Sequence, residues 1–541
     1  MEKKTKIQFN VMASILIILF AISLTPVTLQ NDTFYTIKIG EYILENGITM
    51  EDPFSWHENL PYTYPHWAYD VGTFLVYKVG GYLGIYILTA ILSAVLGLSI
   101  YFTGAKLTKN HLTSFLITLW SMYLLRAFIA ARAQLVTFIL FILTIFFIEK
   151  FIKTGKKRYA IALIVIPIII ANVHLAVWPF YFVLYLPYIG EYIISLLSTS
   201  NLWLRKLRIN RLKKKLLKEN FVEKLSKIKQ KIAKLEEKNE NSNIKKEKIR
   251  INAYKLEIVR DNNVKWLILI MIICLFTGLL TPLHGAPYTY LINTIKGNTT
   301  QFISEHLPLT LANNIDFMIL ITVFLAILIF TDTKIRLRDL FMIGGLLFLA
   351  IKTQRQVSIF VLIGSVILNR LLCYFFNKYD KGGTERFIKI MTTLPGKILT
   401  ISIVLLCCIS FAREKIGNKF VDETTYPTKA AEYIKENINL STMKLYNEYN
   451  YGSYLLMQGI PVFIDSRADL YSPEFNKGKD IFSDFIDISN LGVYYENKFE
   501  EYEITHVIIY KNAKLNMFLS RNDKYKELYS DDYFCVYERL N

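Results

Sequence analysis

Residues 11–29 read Val-Met-Ala-Ser-Ile-Leu-Ile-Ile-Leu-Phe-Ala-Ile-Ser-Leu-Thr-Pro-Val-Thr-Leu and hold no charge. Met-Glu-Lys-Lys-Thr-Lys precedes them. A basic start and an apolar core also mark a cleaved signal, but this run is long and no small-x-small cleavage site follows, so it reads as a retained helix. Similar runs of roughly 17–22 apolar residues recur along the chain, each long enough to cross about 30 Å of hydrocarbon as helix. The 541-residue chain is 53% hydrophobic, above the usual soluble composition. The fold class expected is a polytopic α-helical membrane protein.

Eleven spans are expected, near 8–28, 84–103, 112–130, 134–151, 159–173, 178–198, 265–281, 315–331, 339–353, 356–375 and 396–412. With Lys3, Lys4 and Lys6 inside, the alternate loops that fall in the cytoplasm are each rich in Lys or Arg, as the positive-inside rule requires. Most ionisable residues at membrane depth are then expected towards the outer side. Residues 1–412 form the membrane domain, and 413–541 an extracytoplasmic α/β domain. In that domain a helix is expected at Thr428–Asn437, with strands at Lys444–Tyr446, Val462–Ile464, His506–Tyr510 and Tyr533–Tyr537.

The net charge is +18, and the stretch 204–260 holds 20 Lys and Arg against 7 Asp and Glu. Such a local surplus fits a cytoplasmic loop on anionic lipid and argues against nucleic acid as partner. Phe221, Leu225, Ile228, Ile232 and Leu235 make a coiled-coil seam, so 204–260 reads as a helical hairpin insertion turning at Asn239–Asn243. The five cysteines show neither a disulfide framework nor metal-ligand spacing.

Charges abutting helix ends are costly unless they face a polar cavity, and the outer loops hold several. Asp32 follows the first span; it suits a general base or a helix cap. Asp52, in a turn, reads as structural. His66 and Trp67 suit the membrane interface or stacking on a sugar. Arg126 and Arg132 flank an outer turn, and Lys352 and Arg355 another. A guanidinium fork matches phosphate, although snorkelling to headgroups explains it too. Asn172, His174, Glu305 and His306 complete the set. Asp465-Ser-Arg-Ala-Asp469 reads as a salt-bridged turn. No motif calls for a cofactor; a divalent metal is compatible with the acids but has no motif behind it.

Four stretches carry a resemblance: Asp32-Thr-Phe-Tyr with Gly40, Gly47 and Asp52-Pro-Phe-Ser55; Arg132-Ala-Gln134; Asn172-Val-His174; and Ile303-Ser-Glu305. Tyr449-Asn-Tyr-Gly-Ser-Tyr-Leu455, Pro461–Arg467 and Tyr471 add a tail motif. Together they resemble bacterial multi-span glycosyltransferases of the GT-C type, which use polyprenyl-phosphate sugars. The resemblance covers most of the chain outside 204–260. It implies Asp32 as catalytic base, and Arg355 with the Arg126/Arg132 turn on phosphate. It further implies an inverting transfer from a polyprenyl-phosphate-sugar donor to a cell-envelope acceptor; His66, Trp67, His174, Glu305 and His306 are expected around the substrates from their place in the outer loops. Three positions depart from the pattern. Asn31 replaces an acid before Asp32, which leaves metal-dependent chemistry without support; Ala133 replaces a proline; His306 replaces a tryptophan. The alternative is a transporter or flippase of an anionic lipid-linked sugar, using the same arginines without a base. A scaffold displaying the tail ranks last.

Overall fold

The computed structural model describes residues 3–216, 222–243, 249–251, 255–297, 299–492 and 494–540. The apolar runs become helices, because a backbone in an apolar setting must satisfy its polar groups internally. In chain order come α1 (Lys3–Leu24), α2 (Asn31–Asn46), α3 (Trp67–Thr108), α4 (His111–Leu124), α5 (Gln134–Thr154) and α6 (Lys157–Val173). Then follow α7 (Trp178–Val183), α8 (Leu186–Leu216), α9 (Val222–Asn243), α10 (Val264–Cys274), α11 (Ala286–Lys296) and α12 (Thr299–Phe302). The last of this half are α13 (Ile315–Phe330), α14 (Leu337–Lys352), α15 (Val357–Tyr379), α16 (Gly383–Thr392) and α17 (Leu394–Arg413).

Among the described residues six helical stretches are long and apolar enough to cross a membrane: Lys3–Leu24, Trp67–Thr108, Gln134–Thr154, Leu175–Leu197, Gln354–Tyr379 and Leu394–Arg413. The other five expected spans fall on α4, α6, α10, α13 and α14, helical runs of 11 to 17 residues. In α3 the backbone breaks at Gly81, whose φ of 56° lies in the left-handed region. The part before the break belongs with the first loop; the part after it matches the expected span at 84–103.

In the insertion, α9 runs helical through Asn243, so the turn expected at Asn239–Asn243 is not there. Instead α8 and α9 pair, with Lys213 on Glu236, and Phe221 of the expected seam lies outside the described residues. Two short strands follow: β1 (Ile249–Ile251) antiparallel to β2 (Leu256–Val259). Strand β2 pairs in parallel with β3 (Ile335–Arg336), so this segment is tied to the start of α14.

The tail holds α18 (Thr428–Asn437), β4 (Leu445–Tyr446), α19 (Tyr449–Met457), α20 (Pro473–Asn476), α21 (Ile481–Asn490) and α22 (Tyr495–Glu501). It ends with β5 (His506–Tyr510), α23 (Asn516–Leu519), β6 (Tyr525–Ser530) and β7 (Phe534–Arg539). The sheet order is β4-β5-β7-β6; β4 and β5 are parallel and the remaining pairs antiparallel. Val462–Ile464 is not a strand: Val462 makes only an isolated bridge to Ser55.

The tail is fastened to the first loop. Arg467 donates to Asp465 through Nε (2.9 Å) and Nη2 (2.6 Å), and to Asp52 through Nη1 (2.6 Å). The Trp56 indole donates to the Leu445 carbonyl at 2.9 Å, and His57 Nε2 to that of Phe463 at 2.8 Å. One apolar core runs through both, from Phe34 and Tyr64 to Tyr446 and Val507.

Candidate functional site at the α2, α5 and α15 ends

Asp32 stands in the first turn of α2, where the helix dipole favours a carboxylate. Arg132 stands in the turn that leads into α5. Its Nε lies 3.0 Å from Asp32 Oδ2, yet that N–H finds no aligned acceptor. The contact is therefore an ion pair without an aligned hydrogen bond. On its other side, Arg132 Nη1 donates to Glu305 Oε1 at 3.2 Å. Three segments far apart in the chain thus meet in the series Asp32–Arg132–Glu305. Burial disfavours the Arg132 charge, but Asp32 and Glu305 more than offset it and raise its pKa. Burial likewise opposes the Glu305 carboxylate, and Arg132, then Arg355, hold its pKa below the usual range.

Arg355 lies in the short turn between α14 and α15. Backbone bonds from Leu309 to Ile351 and from Gln354 to Leu307, both 3.0 Å, clamp that turn to the Glu305-His306 turn. Half-buried, the Arg355 guanidinium has no ion pair or hydrogen bond among the described residues. Its charge nevertheless acts on His66, His174, Glu305, His306 and Asp469. Burial and then Arg355 push His66 down to about 3 and His306 to about 4; burial, His66 and Arg355 hold His174 well below its usual value. All three are neutral near pH 7, so the local positive charge belongs to the arginines.

His66 and His174 pack edge to face at 4.9 Å. Leu175 N–H donates to the Pro65 carbonyl at 2.9 Å, and Thr137 Oγ1 bonds His174 Nδ1 at 2.8 Å. The Trp67 indole donates to Asn172 Oδ1 at 3.1 Å, and Asn172 Nδ2 in turn to the Leu280 carbonyl at 2.9 Å. Trp67 and Asn172 therefore tie helix ends together.

Arg126 is not in the series. It pairs with Asp316 at the start of α13 (2.9 Å) and stacks on Tyr123. Three residues given no place at the site by the sequence reading make contacts here. Asn31 Nδ2 donates to the Tyr449 carbonyl at 2.9 Å, joining the tail to the residue beside Asp32. Asp469 accepts from Tyr290 at 2.8 Å and Thr294 at 3.4 Å, apart from the Asp465–Arg467 pair it was grouped with. Its crowding in sequence with opposite charges was the only signal it gave. Asp316 gave none beyond its place at a helix start.

A second set of charges corrects the expectation that ionisable groups gather at one side. Glu149 lies roughly 22 Å along α5 from Gln134, at 1.5 Å per residue. Arg336 bonds Glu149 and Asp339, both at 2.9 Å, and Arg370 bonds Asp339 at 2.6 Å. Arg338 reaches Asp261 at 3.2 Å. All but Asp261 are nearly buried. Charge counting by loop missed this network because it scores sign, not burial.

Among the described residues no three His, Cys, Asp or Glu side chains gather to hold a metal ion. No known family model matches the chain, and no curated protein is detectably similar to it.

Proposed function

We propose that the chain is an inverting membrane glycosyltransferase of the GT-C type, moving a sugar from a polyprenyl-phosphate donor to a cell-envelope acceptor at the outer membrane face. In this reading eleven helices span the cell membrane. The N-terminus is cytoplasmic, and 413–541 is an extracytoplasmic α/β domain over the site. The observation that carries it is the ion-paired series Asp32–Arg132–Glu305 beside the uncommitted Arg355. A cation without a partner at a helix end is costly, and a lipid phosphate of opposite charge supplies one.

The division of labour follows. Arg355 takes the donor phosphate and stabilises it as it leaves. Asp32 accepts the proton of the acceptor hydroxyl as its oxygen attacks the anomeric carbon. The new glycosidic bond forms while the bond from sugar to phosphate breaks. Arg132, between two carboxylates, holds Asp32 in place. His66, His174 and His306 are neutral groups for sugar hydroxyls.

The test uses proteoliposomes, a labelled polyprenyl-phosphate sugar and an envelope acceptor fraction. Asp32→Asn is expected to lower transfer by about 10²–10⁴-fold with donor binding retained, and Arg355→Ala to weaken donor binding. Transfer at the wild-type rate with Asp32→Asn removes the base and with it this mechanism. The transporter reading gains from the buried network at the far ends of α5, α14 and α15, since a carrier needs polar groups at both ends of its path. A carrier would move labelled lipid across the bilayer with Asp32→Asn and fail with Glu149→Gln.

A further inference from the structure

Between α15 and α17 the chain makes a short helix, α16, entered through Gly382 at a φ of 88° and left at Thr393, whose hydroxyl caps α17. One side of α16 is fixed: Ile388 is buried and Met391 partly so, against the core shared with α1, α4 and α17. The other side is open. Phe387, Ile390 and Leu394 are 60%, 58% and 73% exposed. Phe387 and Ile390, three apart, form a stripe on one side of α16, and Leu394 opens α17 just past the extended Thr393. An exposed stripe of that kind marks a contact surface.

Two observations say what covers it. The chain runs from the stripe straight into α17, where Ile398, Leu399 and Leu406 are also exposed, and α17 is one of the helices apolar enough to cross a membrane. The flanks of the stripe are basic. Lys378 pairs with Asp332 and Arg386 with Asp380, but Lys381, Lys389 and Lys397 have no ion-pair partner among the described residues. The start of α1, which packs against α16, adds Lys4 and Lys6. An amphipathic segment with cations beside an apolar stripe, set where an apolar helix begins, is built to lie in a lipid–water boundary.

We propose that the open face of α16 lies in the membrane interface and binds anionic phospholipid headgroups. Phe387, Ile390 and Leu394 enter the acyl boundary, and Lys381, Lys389 and Lys397 meet the phosphates. Near an anionic surface each lysine is worth roughly a five-fold preference. The proposal is independent of the transferase reading.

Two measurements on the full chain in lipid nanodiscs test it. A nitroxide on Phe387→Cys, in a Cys407→Ser background, should be quenched far more by oxygen than by an aqueous nickel chelate. Greater nickel access places the face in water and overturns the proposal; strong nitroxide–nitroxide coupling between copies means that a second chain covers it and does the same. Separately, unsubstituted protein should retain spin-labelled phosphatidylglycerol over phosphatidylcholine. With Lys381→Glu, Lys389→Glu and Lys397→Glu together that preference should fall on the order of 10²-fold. Equal retention of the two lipids by the unsubstituted protein, which needs no variant to fold, defeats the headgroup claim.

Discussion

Arg467 touches two carboxylates, Asp465 two residues before it and Asp52 far back in the first loop. The ring of Tyr62 lies under its guanidinium, and Tyr471 donates to Asp465 at 2.6 Å. Burial opposes the Asp52 charge, but Arg467 and the amide of Ser55 keep its pKa below the usual range. A group so placed matters more by its removal than by its net worth, because the partners stay buried and charged. Arg467→Met is therefore expected to cost about 3–5 kcal/mol. Thermal unfolding and limited proteolysis of the 413–541 segment would measure this. A loss under about 1 kcal/mol, the size of an exposed pair, would mean that Arg467 does not hold the tail. Sequence reading named Asp465–Arg467 as a salt-bridged turn and Asp52 as structural; that the two are one assembly lay beyond it, since the bond from Arg467 to Asp52 joins residues 415 apart.

At the scale of elements, α2 rests on the first turns of α3 because Gly40 has no side chain. A Cβ at Gly40 would lie 2.1 Å from the Asp70 carbonyl oxygen, a backbone atom that cannot swing aside. Gly40→Ala should force the two helices apart, cost about 1–3 kcal/mol by overpacking, and shift Asp32 at the head of α2 away from Arg132. Melting temperature and transfer rate should fall together; unchanged stability would show that the contact yields easily. The errors of element reading have local causes. Tyr525–Ser530 was passed over because β6 is an edge strand with a register shift between Glu527 and Tyr529, so the consecutive exposed Lys526 and Glu527 break the apolar alternation. Val462–Ile464 is apolar and extended in appearance, yet it gains its partners from Trp56 and Ser55 rather than from the sheet. The break at Asn239–Asn243 failed because Asn and Ser weaken a helix without ending it.

For the molecule as a whole, the burial of histidines sets how it responds to acid. His57 is lowered to about 4 by burial, His66 to about 3 and His306 to about 4; His174 and His506 are lowered too. Each binds its proton more readily unfolded, so each withdraws stability as pH falls below about 6.5. Glu448, raised by burial to about 7, and Asp70 and Asp469, also raised by burial, act in the opposite sense. With five histidines against these three carboxyls, the melting temperature should drop between about pH 6.5 and pH 4. His57→Gln, which keeps a donor for the Phe463 carbonyl, should make the slope shallower. A melting temperature that is flat or rises over that range would show that the carboxyl groups dominate instead.

The apolar runs and their intervals determined the helices and much of where they begin and end, because helix formation in an apolar medium depends on a local property, the length of uncharged chain. The pattern of residues likewise drew attention to Asp32, Arg132, Glu305 and Arg355. Only the tertiary structure decided which of these meet. It joined Asp32 to Arg132 and Glu305, left Arg355 uncommitted beside them, sent Arg126 to Asp316, and assembled a buried ionic network at the far ends of α5, α14 and α15. Ion pairing falls off within a few ångströms, and distances of that size between residues such as Arg132 and Glu305, 173 apart in the chain, are set by how helices pack rather than by any spacing along the sequence.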